Sequence, residues 1–193
     1  VPIYATMLTA GLIENKLEEH KLTNSTTMKI VKQGQTIVLG KMKVEFIRSN
    51  HSIPDAVALA IHTPVGTVIH TGDFKIDYTP IDGEVMNLGR IAELGNKGVL
   101  ALLSDSTNAE RKGFTMSEKS VRDVFDKLFQ NCKKRIIVAT FASNVHRVQQ
   151  IVDCAVETKR KIAICGRSMI NMIETAIRLG YIKTPNNVFI DID

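Results

Sequence analysis

The sequence predicts an α/β fold in two parts, and three observations carry that reading. Up to about residue 114, short runs of alternating apolar and polar residues are separated by glycine turns, with few helical stretches between them. From about residue 115 the pattern becomes helix, strand, helix, strand, helix, strand, which implies parallel βαβ units. Between the two lies "ERKGF", residues 110–114, polar and without either period.

In chain order, residues 1–6 read as a strand, and "TAGLIENKLEEHKL" shows helical spacing at Leu12, Ile13, Leu17 and Leu22. "TMKIVKQGQTIVLG" and "KMKVEFIRSN" alternate as strands, with Gly34 and Gly40 at turns. "AVALAIHT" and "TVIHTGDF" form a hairpin across the short "PVG" turn. A helix near "LGRIAELG" leads into the apolar strand "GVLALLS", followed by "DSTN". In the second part, helices are expected over 117–130, 144–158 and 168–179, and strands over 135–141, 161–165 and 188–192. Ser143 or Asn144 suits the cap of the second of these helices, and Ser168, after a turn at Gly166, the cap of the third.

The bulk properties exclude some classes. A chain of 193 residues with mean hydropathy +0.02 is long enough for a real core. No run of about 18 apolar residues is present, so no membrane-spanning helix is expected. Cys132, Cys154 and Cys165 are an odd number without metal-site spacing, which suits reduced thiols in the cytoplasm. The net charge of +5 favours a polyanionic partner only weakly. The chain starts at "VPIYAT" and ends at "VFIDID", both strand-like, and is expected to be an internal piece of a longer protein.

Three strand ends carry the chemistry. "VEFIRSNH" ends at His51, "TVIHTGD" at Asp73 and "GVLALLSD" at Asp105. If these strands share a sheet, the three side chains can meet on one rim. Imidazole and carboxylate are ligands for zinc and related divalent ions, and Gly72 lets the backbone turn sharply before Asp73. By spacing alone, each residue also fits an ordinary turn or cap.

The run "SNHSIPDAVALAIHTPVGTVIHTGDFKID" closely resembles the ribonuclease J family, metallo-β-lactamase-fold nucleases with an inserted β-CASP domain. The resemblance continues through "LLSDSTNAERKGFTMSE", "IIVATFASNVHRVQQI" and "ICGRSM". It implies that residues 1–114 are the later half of a metallo-β-lactamase domain, a β-sandwich flanked by helices. Residues 115–193 would then begin a β-CASP domain with a parallel sheet. It further implies metal ligation by His51 and Asp73, with Asp73 bridging two ions, and a catalytic supporting role for Asp105. His62 and His70 match no ligand position and are read as strand residues. The implied cofactor is a pair of zinc ions, or manganese. The implied activity is 5′-to-3′ exonuclease and endonuclease cleavage in RNA processing and decay. RNA is the implied partner, in a cytoplasmic homo-oligomer that also meets other RNA-decay proteins. The family's His-x-His-x-Asp-His motif is absent, so this piece by itself is expected to be inactive. A DNA-acting β-CASP hydrolase and a non-catalytic RNA-binding paralogue are the alternatives.

A second group lies at strand-to-helix junctions. "FASN", Phe141-Ala142-Ser143-Asn144, sits where free backbone N–H groups and a helix dipole favour phosphate, with Arg147 and Arg167 adding charge nearby. By residues alone it also fits a plain helix cap. The resemblance implies that these four residues bind substrate in the nucleotide channel.

Overall fold

The first strand, β1 (Pro2–Ala5), leads into helix α1 (Met7–Glu19) and returns through a short 3₁₀ turn to β2 (Thr27–Ile30). β1 and β2 pair in parallel, with Pro2 opposite Thr27. The chain is described over residues 1–191 by a computed structural model. Next come β3 (Thr36–Leu39), β4 (Met42–Arg48), β5 (Val57–Thr63) and β6 (Gly66–His70), an antiparallel run in sequence order. The β5–β6 turn is the expected one, with Thr63 paired to Gly66 across Pro64 and Val65. Helix α2 (Leu88–Lys97) then carries the chain to β7 (Ala101–Leu103), which joins β6 in parallel and completes a five-stranded sheet.

The alternation seen in sequence places Ile47, Ala58, Ala60 and Ile69 on one sheet face, where they pack with Leu94 and Ile91 of α2. Small residues at 58 and 60 let the helix approach. On one edge of this face, Arg90 of α2 makes paired bonds to Glu45 of β4, at 2.8 and 2.9 Å.

The later residues form α3 (Lys119–Asn131), α4 (Val145–Glu157), β8 (Ile162–Ala163), α5 (Arg167–Arg178) and β9 (Phe189–Ile190). β8 and β9 pair in parallel around α5, one βαβ unit of the kind expected. Their core gathers Val145, Val148 and Val152 of α4 with Met172, Ile173 and Ala176 of α5. Leu8 of α1 is fully buried in this same cluster, a burial worth about 1.5–3 kcal/mol. Gly11 makes the contact close: a Cβ there would stand 2.9 Å from Leu179 Cδ1. Asn15 of α1 also donates to Thr175 of α5 at 3.0 Å. The core of the second part therefore includes a helix from the first.

The expectations for the second part need correction in places. Residues 135–141 are not a strand. β-rich composition gives a strand only when a neighbour completes its ladder, and among the described residues none pairs with this segment; Ile137 stays 88% exposed. The strand expected over 161–165 is only Ile162–Ala163. Of the strand expected over 188–192, Phe189–Ile190 is present, and Ile192 lies outside the described residues. Ser168 does not cap α5. The helix begins one residue earlier, after Gly166 at φ 98°, a conformation that suits glycine. Cys132, Cys154 and Cys165 are all free thiols. Burial, with the Asp126 carboxylate beside it, pushes the Cys154 thiol up to about 11, which leaves it unreactive.

Candidate active site

His51, Asp73 and Asp105 line one cleft of about 330 Å³. Each arrives there for a local reason. His51 follows β4 on a loop closed at its base, where the Ser49 N–H donates to the Ala56 carbonyl at 2.9 Å. Asp73 follows β6 through Thr71 and Gly72. Gly72 has φ 59°, and a Cβ there would lie 3.1 Å from the Val57 carbonyl, so both conformation and space call for glycine. Asp105 follows β7, the parallel neighbour of β6.

Thr71 joins the last two loops. Its N–H donates to the Leu103 carbonyl at 3.0 Å, continuing the β6–β7 ladder. Its buried hydroxyl accepts the Asp105 N–H at 2.9 Å and donates to the Gly72 carbonyl at 2.7 Å. Sequence reasoning passed over Thr71, although a threonine between a strand and a Gly-Asp turn is a readable sign of such a bond.

The three side chains have different surroundings. The Thr107 hydroxyl and N–H, at 2.7 and 2.9 Å, hold the Asp105 carboxyl below the usual carboxylate range. The Phe74 N–H and the charge of His51 act in the same direction. His51 has Ser52 Oγ 3.3 Å from its Nδ1. Asp73 is exposed and makes no hydrogen bond or ion pair among the described residues. The cleft thus offers an imidazole, an ionised carboxylate fixed by a turn, and a second carboxylate with no structural task.

Further residues line the cleft. Asp77 is buried, which pushes its carboxyl up, but the Thr79 N–H at 3.0 Å, the Ser117 hydroxyl and Lys75 at 3.6 Å bring it below the ordinary value. His146, in the first turn of α4, also lines the cleft. Burial pushes its imidazole below the ordinary value, against the opposing pull of Asp82, Glu118 and Asp55. His62 and His70 sit within β5 and β6, as read from the sequence. His62 contacts Thr67 and Glu45, at 3.1 and 3.5 Å, and His70 Nδ1 accepts the Gly72 N–H at 3.0 Å.

Among the described residues, no group of three or more His, Cys, Asp or Glu side chains is arranged to hold a metal ion. These residues alone do not fit a metal centre. His51 and Asp73 are the pair that could contribute to one.

The Phe141–Asn144 segment stands apart from these residues and does not line the cleft. Phe141 is 83% exposed, Ala142 packs against the α4–α5 core, and Ser143 is exposed. Asn144 is buried and caps α4, its side-chain oxygen accepting the Arg147 N–H at 3.1 Å. The Arg147 guanidinium is committed to Glu118, with both carboxylate oxygens at 2.8 Å, so it does not add the charge expected of it at this junction.

Comparison with known proteins agrees with the resemblance in the sequence. A family model described as the β-CASP domain of ribonuclease J matches residues 133–193. Ribonuclease J of Synechocystis sp. is 52% identical over 189 residues, covering 97% of this chain and 30% of that protein. Ribonuclease J 1 of Streptococcus pyogenes is 49% identical over 99% of this chain and 34% of its own length. Ribonuclease J2 of Bacillus subtilis is 41% identical over all of this chain and 35% of its own length. The chain therefore spans about a third of the length of these relatives. A crystal structure of a protein of unknown function from Enterococcus faecalis superposes with a TM-score of 0.67 at 15% identity, covering all of this chain and 50% of that one. At that identity the likeness concerns the fold alone.

Proposed function

Because the chain belongs to the ribonuclease J family, we propose that it forms part of a metal-dependent ribonuclease that hydrolyses RNA phosphodiester bonds. The observation that carries this reading is the meeting of the His51, Asp73 and Asp105 loops at one cleft, with Thr71 joining two of them. On this reading residues 1–114 belong to a metallo-β-lactamase domain and residues 115–193 to a β-CASP domain, with His51, Asp73 and Asp105 on the first and Glu118 and His146 of the second also lining the cleft. His51 and Asp73 are this chain's share of the ligands for zinc or manganese, and the rest come from elsewhere in the longer protein. The 193-residue chain alone is accordingly inactive.

Within that site, each residue has a task its surroundings suit. Asp105, held ionised by Thr107, fixes the electrostatics beside His51. Asp73 is the carboxylate left open to the reacting centre. Phe141 to Ser143 supply backbone N–H groups beside the positive end of α4, which Asn144 caps, and these suit contacts with phosphate and sugar that position RNA without reading its sequence. The protein works in the cytoplasm as a homo-oligomer, in 5′-to-3′ exonuclease and endonuclease modes. Among the described residues no helix is long and apolar enough to cross a membrane.

The test uses the full-length protein on 5′-monophosphorylated RNA and on DNA of the same sequence, with and without chelator. The expected result is RNA shortened from its 5′ end, with the reaction stopped by chelator. Hydrolysis of DNA in preference to RNA would favour a DNA-acting relative. RNA binding without turnover would favour a non-catalytic paralogue.

A further inference from the structure

The loop that carries His51 is held at its far end by a residue distant in sequence. The Tyr181 hydroxyl donates to the Asp55 carboxylate. Asp55 ends a short loop whose base is the Ser49–Ala56 bond, and it takes φ 61°, a left-handed conformation that aspartate tolerates better than most residues. Between His51 and Asp55, Pro54 is buried and Ile53 packs against the α4–α5 core. The far end of the loop is therefore fastened to the second part of the chain by one apolar contact and one hydrogen bond, while Asn50, beside His51, is held within the first part by the Lys75 N–H at 2.8 Å and by its own bond to the Glu84 carbonyl.

Tyr181 is well placed to act as the fixed point. It follows α5 directly, and the helix ends in a Schellman arrangement. The Tyr181 N–H donates to the Ala176 carbonyl at 2.8 Å, and the Gly180 N–H to the Ile177 carbonyl at 3.0 Å. Gly180 supplies the required positive φ of 80°. The ring packs against the same core as Ile53. Burial raises the phenol's pKa, and the neighbouring Asp55 raises it further, so the group stays a donor across the working pH range.

Taking the ribonuclease reading of the cleft as its premise, we propose that Tyr181 is a positioning residue for His51. From the end of α5 it fixes the 50–55 loop through Asp55, so that the second part of the chain sets where the imidazole stands over the cleft. Two anchors to the second part, one buried proline and a closed base leave the loop few other conformations.

The test compares variants of the full-length protein in kcat and KM on 5′-monophosphorylated RNA. Tyr181→Phe keeps the ring in the core and removes only the donor. It should lower kcat between about tenfold and a hundredfold, the range expected for a misplacement of up to about 1 Å, with KM unchanged. Asp55→Gly tolerates the left-handed φ but removes the acceptor, and should match Tyr181→Phe. Asp55→Asn keeps an acceptor oxygen and should retain more activity than Asp55→Gly. The Tyr181→Phe/Asp55→Gly double variant should be no slower than either single one. Additive losses, or a Tyr181→Phe enzyme with wild-type kcat, would overturn the assignment. A second readout, the His51 ring signal in protein labelled at histidine, keeps this test separate from the ribonuclease reading. It should shift in Tyr181→Phe and Asp55→Gly even if no RNA is turned over. An unmoved His51 signal in both variants would overturn the assignment whatever the activity.

Discussion

Thr71→Val tests how the Asp73 and Asp105 loops are brought together. Valine has nearly the shape of threonine, so the buried site stays filled, and the change removes only the hydroxyl. Two hydrogen bonds go with it: the one from the Asp105 N–H at 2.9 Å and the one to the Gly72 carbonyl at 2.7 Å. The Asp105 amide then has no acceptor where water reaches it only in part. An orphaned donor costs about 1–3 kcal/mol when buried, and Asp105 is half-buried, which places the cost at about 1–2 kcal/mol. That corresponds to roughly 5- to 30-fold in the opening equilibrium of the loop. The assay is amide hydrogen exchange of the full-length protein, read at Asp105. Its amide should exchange faster by that factor in Thr71→Val, while Thr71→Ser keeps the hydroxyl and the protection. An Asp105 amide that exchanges within about twofold of wild type in Thr71→Val would refute the argument that this side chain holds the loops together.

Ser143→Asp places a carboxylate at the N-terminus of α4 and should weaken RNA binding by a similar factor for all sequences, with metal content unchanged. RNA affinity measured beside metal content checks this, and unchanged affinity would reduce the junction to a helix cap. The imidazole of His146 is depressed on folding because it is buried. The unfolded chain therefore takes up a proton first, and stability is full above the free imidazole value of about 6.5 and falls as pH drops below it. His146→Gln should flatten the loss of stability between pH 7 and pH 5, read as urea midpoints, and an equally steep loss in the variant would contradict it.

The sequence made the antiparallel strands legible because their alternation and turns are local. The β5–β6 hairpin lies where "PVG" placed it, and the βαβ unit around α5 follows from its alternation. Residues 135–141 have the composition of a strand, but composition cannot supply the neighbour that completes a ladder. The parallel pairing of β1 with β2 was likewise invisible, since nothing local specifies it. At the cleft, each candidate residue could be located at a strand end, but their meeting depends on the β6–β7 pairing and on Thr71. Tyr181 carries no local signal at all, because its partner Asp55 is 126 residues away. Only Gly180 before it marks the helix end that points it there. His146 lies only two residues beyond the "FASN" junction, yet helical geometry turns it into the cleft while that junction does not line it.

The central claim is that RNA phosphodiesters are hydrolysed at the cleft of His51, Asp73 and Asp105. It is tested most directly by Asp73→Ala in the full-length protein, with turnover and affinity measured on the same 5′-monophosphorylated RNA. Asp73 has no structural partner among the described residues, so its removal should leave the fold and RNA affinity intact. Turnover should fall by more than about a hundredfold, or roughly 2.7 kcal/mol of barrier. Turnover within about tenfold of wild type, roughly 1.4 kcal/mol, would contradict the claim and move the reacting centre away from this cleft.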